Sequence, residues 1–415
     1  MNKNVISFYQ WKLSLGVLYL FALTLPFSLK FSNILLVTSA ALLIFRKGYL
    51  HDLRKNSRNS ILLSLTALFV IYAISILWSS NKSYGGFILE KHLSLLLVPL
   101  AVIPALSCIR PHIRHILSCF VTGVLLSFSW LFYQYFTTYN TTTDLSYFFR
   151  ETAVQYVQLH PSYLAMYTVF AFAIIAFKLS LTGSGFSKAL LFITLLILFV
   201  LILMTGARMP LLALLIITFA MATGVLLKVR YGWLFSLGLL TLIGFVGYFS
   251  LRTPLLKSRI SEISNTAFKP PVDIHFNSVN LRIAQLLCSK EIISQHWLTG
   301  VGAGDAQESL NNCYQQHSWS PALYERSYNA HNQYLQTWLS SGIVGLLVLL
   351  FILLAPLWQG TNRLHMILIV LFAICCLTES MLEKNKGIVF FVFFTTLLSQ
   401  TFPFSDNPEK EKTGG

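Results

Sequence analysis

Apolar runs long enough to cross a bilayer recur along this chain almost from end to end; "LLFITLLILFVLILM" (Leu190 to Met204) is the centre of one of them. A bilayer core needs about 20 consecutive apolar residues in helical form. Hydrocarbon offers no water to backbone N–H and C=O groups, so each run must satisfy them internally as a helix. The pattern therefore predicts an all-α integral membrane protein with about twelve transmembrane helices. They are expected at 12–30, 33–46, 60–78, 87–107, 115–137, 160–178, 188–205, 209–227, 231–249, 333–357, 364–382 and 387–402. The second and last runs are short and are expected to tilt little or to lie partly in the interface. A tight hairpin turn is expected around Gly206, where two runs nearly touch.

Composition agrees. Only 11% of residues are charged and 55% are hydrophobic, against about 25% charged in an average soluble domain. Such a chain cannot cover itself with polar surface, so membrane lipids are its expected surroundings. The first run (Leu13 to Leu29) is followed almost at once by a second and reads as a retained span, not a cleaved leader. A net charge of +15 raises the question of nucleic acid. The basic residues, however, gather in short linkers such as "RKGYLHDLRKNSR" (Arg46 to Arg58), as the positive-inside rule produces. No nucleic-acid partner is expected, and the Lys and Arg balance of the short loops places both termini in the cytoplasm.

This topology divides the chain into four parts. Residues 1–249 hold transmembrane helices 1–9, and residues 250–331 form a large outer loop, helical at its centre. Residues 332–402 hold helices 10–12, and 403–415 form a polar cytoplasmic tail. The segment from Thr137 to His160 also falls outside, as an expected interfacial helix. Cys288 and Cys313 share the large loop and can pair if it faces an oxidising compartment. The cysteines show no metal-ligand spacing, and Cys375 and Cys376 read as small core residues.

Ionisable groups near a membrane are costly, so each asks for a reason. Four stand out on the outer side: His160, Arg208, Arg282 and His331. Arg208 lies in "MTGARMPLL" and is either a snorkelling interfacial side chain or a rigidly held fork for a phosphate. Arg282, taken alone, is a surface charge at the start of a loop helix. Lys91, in "LEKHLSLLLVPL", pairs with Glu90 or points into a cavity. His331 opens "HNQYLQTWLSSGIVG", where it anchors a helix at the headgroups or, as a neutral imidazole, accepts a proton. Asn332 beside it caps that helix or hydrogen-bonds a substrate, while Gly342 and Gly345 favour close helix packing. "GVGAGDAQ" lacks the strand–turn–helix setting of a dinucleotide loop and reads as a glycine turn. The sequence holds no paired-aspartate, zinc-spacing, Walker or serine-elbow motif, so no metal or cofactor is expected.

Three stretches, in order, resemble the signature of the O-antigen ligase and polymerase superfamily. They are "TGARMPLL", "LRIAQLLCSKEIISQHWLTGVGAGD" and "AHNQYLQTWLSSGIVGLL". "TESMLEKNKGIVFFVFF" is similar to that family's late Glu-bearing pair of spans. The resemblance implies a GT-C-like glycosyltransferase of the bacterial inner membrane, with its active site facing the periplasm. It implies a metal-independent, inverting transfer from an undecaprenyl-pyrophosphate-linked glycan to lipid A–core. The family's motif residues map onto Arg208 and Arg282 for the donor pyrophosphate and onto His331 as base. His160, Lys91, Asn332 and Glu379 are supporting candidates, with Glu379 and Glu383 placed to orient an arginine. A polymerase would use the same donor with a second lipid-linked glycan as acceptor; a sibling would glycosylate protein. A lipid-linked glycan transporter would need a polar path through the membrane centre and would be supported by inverted repeats; the charges gather on the outer side instead, and no inverted repeat is evident in the sequence.

Overall fold

The computed structural model describes residues 3–138, 155–181, 185–226, 244, 268–272, 276–359 and 362–399. Helices and connecting turns make up all of it, with no strand among the described residues. The first half holds α1 (Lys3–Thr24), α2 (Leu29–Ile44), α3 (Tyr49–Lys55), α4 (Ser60–Ser75), α5 (Lys82–His92), α6 (Ser94–Val102), α7 (Leu106–Ile109) and α8 (Ile113–Thr138). Next come α9 (Pro161–Leu181), α10 (Phe186–Thr205) and α11 (Arg208–Leu226). The stretch expected as the outer loop, called by that name below, contributes α12 (Ser278–Gln295), α13 (Ala306–Gln316) and α14 (Ala322–Glu325). The chain then returns through α15 (Gln333–Leu354), α16 (Arg363–Cys375) and α17 (Asn385–Leu398).

Among the described residues five helical runs are long and apolar enough to cross a membrane, or six if a bent pair counts as one. That pair is α2 and α3, which meet at 91° around the basic linker. Helices α11, α16 and α17 are apolar but shorter. The run from Lys82 to Thr137 is 56 residues long, far beyond the roughly 20 that one crossing needs. Two spans are expected within it from the sequence. The expected span at 231–249 lies outside the described residues, apart from residue 244, as does most of the expected interfacial helix after Thr137. Only 22% of the α10 window is buried by the rest of the protein, despite its nearly unbroken apolar sequence. An apolar helix so exposed needs lipid as its neighbour, and the chain is a multi-pass membrane protein.

Helix α17, the short last run expected to tilt little or to lie partly in the interface, is enclosed by protein: from Lys386 to Leu398 every residue is buried. It is the central post of the bundle, mostly apolar and enclosed on all sides. Its phenylalanines reach in different directions. Phe393 meets Phe21 of α1 at 4.7 Å, Phe394 meets Phe120 of α8 at 4.8 Å, and Phe391 stacks on Phe372 of α16 at 3.9 Å. In lipid, such contacts hold through packing and dispersion, since hydrocarbon already solvates the rings.

The structure corrects the run at 364–382. Helix α16 stops at Cys375, and residues 376–384 form a loop with one 3-10 turn. Two of their backbone groups are bonded by side chains at the start of α15: the Leu377 carbonyl accepts from Asn332 Nδ2, and the Leu382 N–H donates to Gln333 Oε1.

Helix α15 is itself broken, at Gly342, whose φ of 71° lies in the left-handed region that glycine tolerates. The outer loop fills the gap. Val301 N–H donates to the Leu339 carbonyl at 2.8 Å, and Ile343 N–H donates to the Trp297 carbonyl at 3.1 Å. A Cβ on Gly342 would collide with the Leu298 carbonyl. The glycine turn read in "GVGAGD" docks on the end of α4. Ala303 and Gly304 donate to Ser75 and Ser79, and the Asp305 carboxylate accepts the Ser80 and Asn81 N–H groups at 2.6 and 2.8 Å. Cys288 of α12 and Cys313 of α13 form a disulfide. The loop is thus stapled within itself and hydrogen-bonded to two bundle helices.

Candidate active site

Around His331 the chain takes an uncommon path. The residue has φ of 42°, a conformation that costs a non-glycine residue about 1–2 kcal/mol. Side-chain amides hold it there. Asn329 Oδ1 accepts the His331 N–H at 3.0 Å and the Ser380 hydroxyl at 3.3 Å, and Gln336 Oε1 accepts the Ala330 N–H at 3.0 Å. Fully buried Gln333 donates its N–H to the Cys376 carbonyl at 2.8 Å and accepts the Leu382 N–H on Oε1 at 2.6 Å. Asn332 caps α15 through Leu335 N–H and donates Nδ2 to the Leu377 carbonyl, both at 3.1 Å. Of the two roles considered for Asn332, it fills the capping one.

This polar seam presents Glu379 to the site. One carboxylate oxygen lies 3.3 Å from His331 Nδ1 and the other lies 3.5 Å from an Arg282 guanidinium nitrogen. A carboxylate on Nδ1 fixes the tautomer and leaves Nε2 to exchange a proton. Burial pushes the Glu379 carboxyl up, but the hydrogen bond and charge of His331, with the charges of His160 and Arg282, outweigh it and hold the group below the usual carboxylate range.

A cavity of about 910 Å3 connects these groups, and His160, Arg208, Arg282, His331 and Glu379 all line it. Arg208 reaches it from the hairpin between α10 and α11. There Gly206 ends α10 in the left-handed conformation (φ 62°) and α11 begins two residues later. Arg282 sits in the second turn of α12, which a reciprocal Asn277–Asn280 capping box starts. His160 precedes α9, with Nδ1 accepting the Ser162 N–H at 3.4 Å. Desolvation lowers its basicity; Glu379 opposes that, while His331, Arg282 and Lys384 add to it.

Lys91 does not line the cavity. Its ammonium lies 4.1 Å from the centre of the Phe87 ring. Glu383 is buried and hydrogen-bonded by Gln336; burial raises its carboxyl pKa, against the charges of Lys91 and Lys384. The arginine-orienting role foreseen for both glutamates thus has a contact for Glu379 alone among the described residues.

A family model described as O-antigen ligase matches residues 193–350. Over that stretch the chain is similar to the O-antigen ligase and polymerase superfamily. The matched stretch contains Arg208, Arg282 and His331, whereas His160 and Glu379 lie outside it. No curated protein matches the chain. The match to the O-antigen ligase family supports a glycosyl-transferring enzyme of O-antigen biosynthesis that works on lipid-linked glycans in the membrane.

Three features of the site were not singled out in the sequence. The first is the set of amides, Asn329, Gln333 and Gln336, that holds the His331 backbone. Their signal is an excess of amides in "NAHNQYLQTW", where a plain helix start needs one cap. Tyr328 is the second, lining the cavity with its ring centroid 5.6 Å from that of His331. The third is Gln285, 2% exposed, which lines the cavity while its Oε1 has no hydrogen-bond partner. An orphaned buried acceptor costs about 1–3 kcal/mol, and nothing in the sequence distinguishes it from an ordinary surface glutamine.

Proposed function

We propose that this protein transfers a glycan from undecaprenyl pyrophosphate to lipid A–core at the periplasmic face of the inner membrane. The observation that supports this most is the convergence of two arginines, a histidine and its carboxylate partner on one cavity, from segments far apart in the chain. The Cys288–Cys313 disulfide supports an oxidising compartment for the outer loop. The remaining proposed organisation follows the sequence reading: about twelve spans, a periplasmic loop at 250–331, and cytoplasmic termini.

In this reading the acceptor hydroxyl gives its proton to Nε2 of His331 as its oxygen attacks the anomeric carbon. The bond from that carbon to the pyrophosphate oxygen breaks, and the leaving group departs with the electron pair. A single displacement inverts the anomeric centre. Arg208 and Arg282 stabilise the departing negative charge through charge-assisted hydrogen bonds. Glu379 holds Nδ1–H and stabilises the imidazolium as it forms. Two guanidinium groups supply positive charge where other glycosyltransferases use a metal, so transfer is expected to survive a chelator.

The test is transfer in vitro by the purified protein, with a polyprenyl-pyrophosphate glycan and lipid A–core as substrates. His331→Asn is the informative variant, because asparagine accepts the left-handed backbone and lacks a basic nitrogen. Its rate is expected to fall about 10²–10⁴-fold. Equal rates for both proteins would remove the base, and activity lost to EDTA but restored by Mg or Mn would remove the metal-free mechanism. Lengthening of the lipid-linked glycan, with lipid A–core left bare, would identify a polymerase instead.

A further inference from the structure

Helix α12 presents Leu281, Arg282 and Gln285 to the cavity, at spacings that share one helical face. Arg282 has 37% of its side chain accessible and contacts Glu379. Gln285 lies one turn further along, roughly 4.5 Å by helical rise, and is almost wholly buried. Its amide oxygen is closed off from water, has no partner among the described residues, and belongs to a residue that borders the cavity.

An unpartnered acceptor calls for a donor. Three chemical groups come near Arg282 if the reaction is the one proposed above. The carrier's hydrocarbon has no hydrogen to donate. A pyrophosphate at neutral pH presents acceptor oxygens and suits the arginine, not the amide oxygen. The remaining group is carbohydrate, whose hydroxyls and acetamido N–H are donors. The rings of Phe276 and Tyr328 line the same cavity and offer apolar faces to a pyranose. We propose that Gln285 reads sugar in this site: once its amide turns, it accepts a hydrogen bond from a ring hydroxyl or acetamido N–H beside the bond that reacts.

This proposal rests on the glycosyl-transfer reading, and the test separates the two. Gln285→Met keeps the length and bulk of the side chain and removes the amide oxygen. Thermal unfolding and steady-state transfer are measured for native protein and variant, with an undecaprenyl-pyrophosphate oligosaccharide and lipid A–core. A second lipid-linked oligosaccharide serves as acceptor should the native protein polymerise. The variant is expected to melt at the native temperature or above, because an orphaned polar group has been removed. Its kcat/KM is expected to fall about tenfold, the cost of one lost hydrogen bond of 1.4 kcal/mol. A rise in KM for the donor assigns the amide to the donor sugar, and a rise for the acceptor assigns it to the acceptor sugar. Unchanged kcat/KM for both substrates overturns the proposal while leaving the transfer reading intact. A lower melting temperature accompanying the lost activity also overturns it, since that marks a packing role. Native protein that transfers no glycan at all defeats the reading of the site itself, and this proposal with it.

Discussion

At the scale of single residues, two glutamates four positions apart have opposite electrostatic settings. Glu379 is held below the usual carboxylate range, so its contribution to stability is present above its unfolded value of about 4.3 and is lost as pH falls through its depressed folded value. Glu383 is pushed up by burial, so its contribution is present at low pH and is lost as pH rises above the unfolded value. Glu379→Gln should therefore lower the melting temperature at pH 7, and Glu383→Gln should raise it, with both differences shrinking toward pH 3. Melting curves of the three proteins across that range check the signs. In transfer assays Glu379→Gln should cost about 10²–10⁴-fold in kcat with little change in KM, as losing the orienting partner of a catalytic histidine does. A Glu379→Gln enzyme with native kcat would show that the His331–Glu379 contact has no part in the reaction.

At the scale of elements, the break in α15 matters more than its length. Gly342 lets the outer loop insert backbone hydrogen bonds into the helix, so the half-helix that follows His331 and the loop that carries Arg282 are joined by Val301 and Ile343. Gly342→Ala should cost at least about 1–3 kcal/mol from the left-handed backbone alone, with a further loss from the clash at Leu298. Faster proteolysis of the outer loop would report it, and native protease resistance in the variant would mean that this junction does not hold the loop. The sequence showed a glycine in an apolar run and suggested helix packing, since hydropathy cannot mark a break that tertiary hydrogen bonds complete. The same blindness hid the end of α16. "CCLTESML" is apolar enough to continue a helix, and the bonds it makes to Asn332 and Gln333, distant in sequence, hold it in another path. Arg208, Arg282 and His331 were legible because they sit in ordered motifs. Gln285 was not, because its burial belongs to the assembled cavity and leaves no pattern along the chain.

At the scale of the whole molecule, α17 is a post on which α1, α8, α9 and α16 lean through aromatic contacts, and the outer loop is stapled on top by chemistry of a different kind. The disulfide spans a sequence separation of 25, and closing a loop of that order contributes about 2–4 kcal/mol. Reduction, or Cys313→Ser, should lower the melting temperature and weaken the hold of α13 on the carbonyl of Tyr328, which Gln307 and Tyr314 now grip. Calorimetry with and without reductant is the check, and coincident melting curves would show that packing alone secures the loop. The cavity, finally, takes its ionisable wall from His160, Arg208, Arg282, His331 and Glu379, which belong to separate helices and turns. No fragment shorter than the stretch from 160 to 379 contains all five groups, so the site is inherited as one block. A chimaera of two relatives keeps both halves of the chemistry from a single parent only when its crossover points fall outside that block. Anywhere inside, a histidine tuned in one ancestor faces an arginine tuned in another.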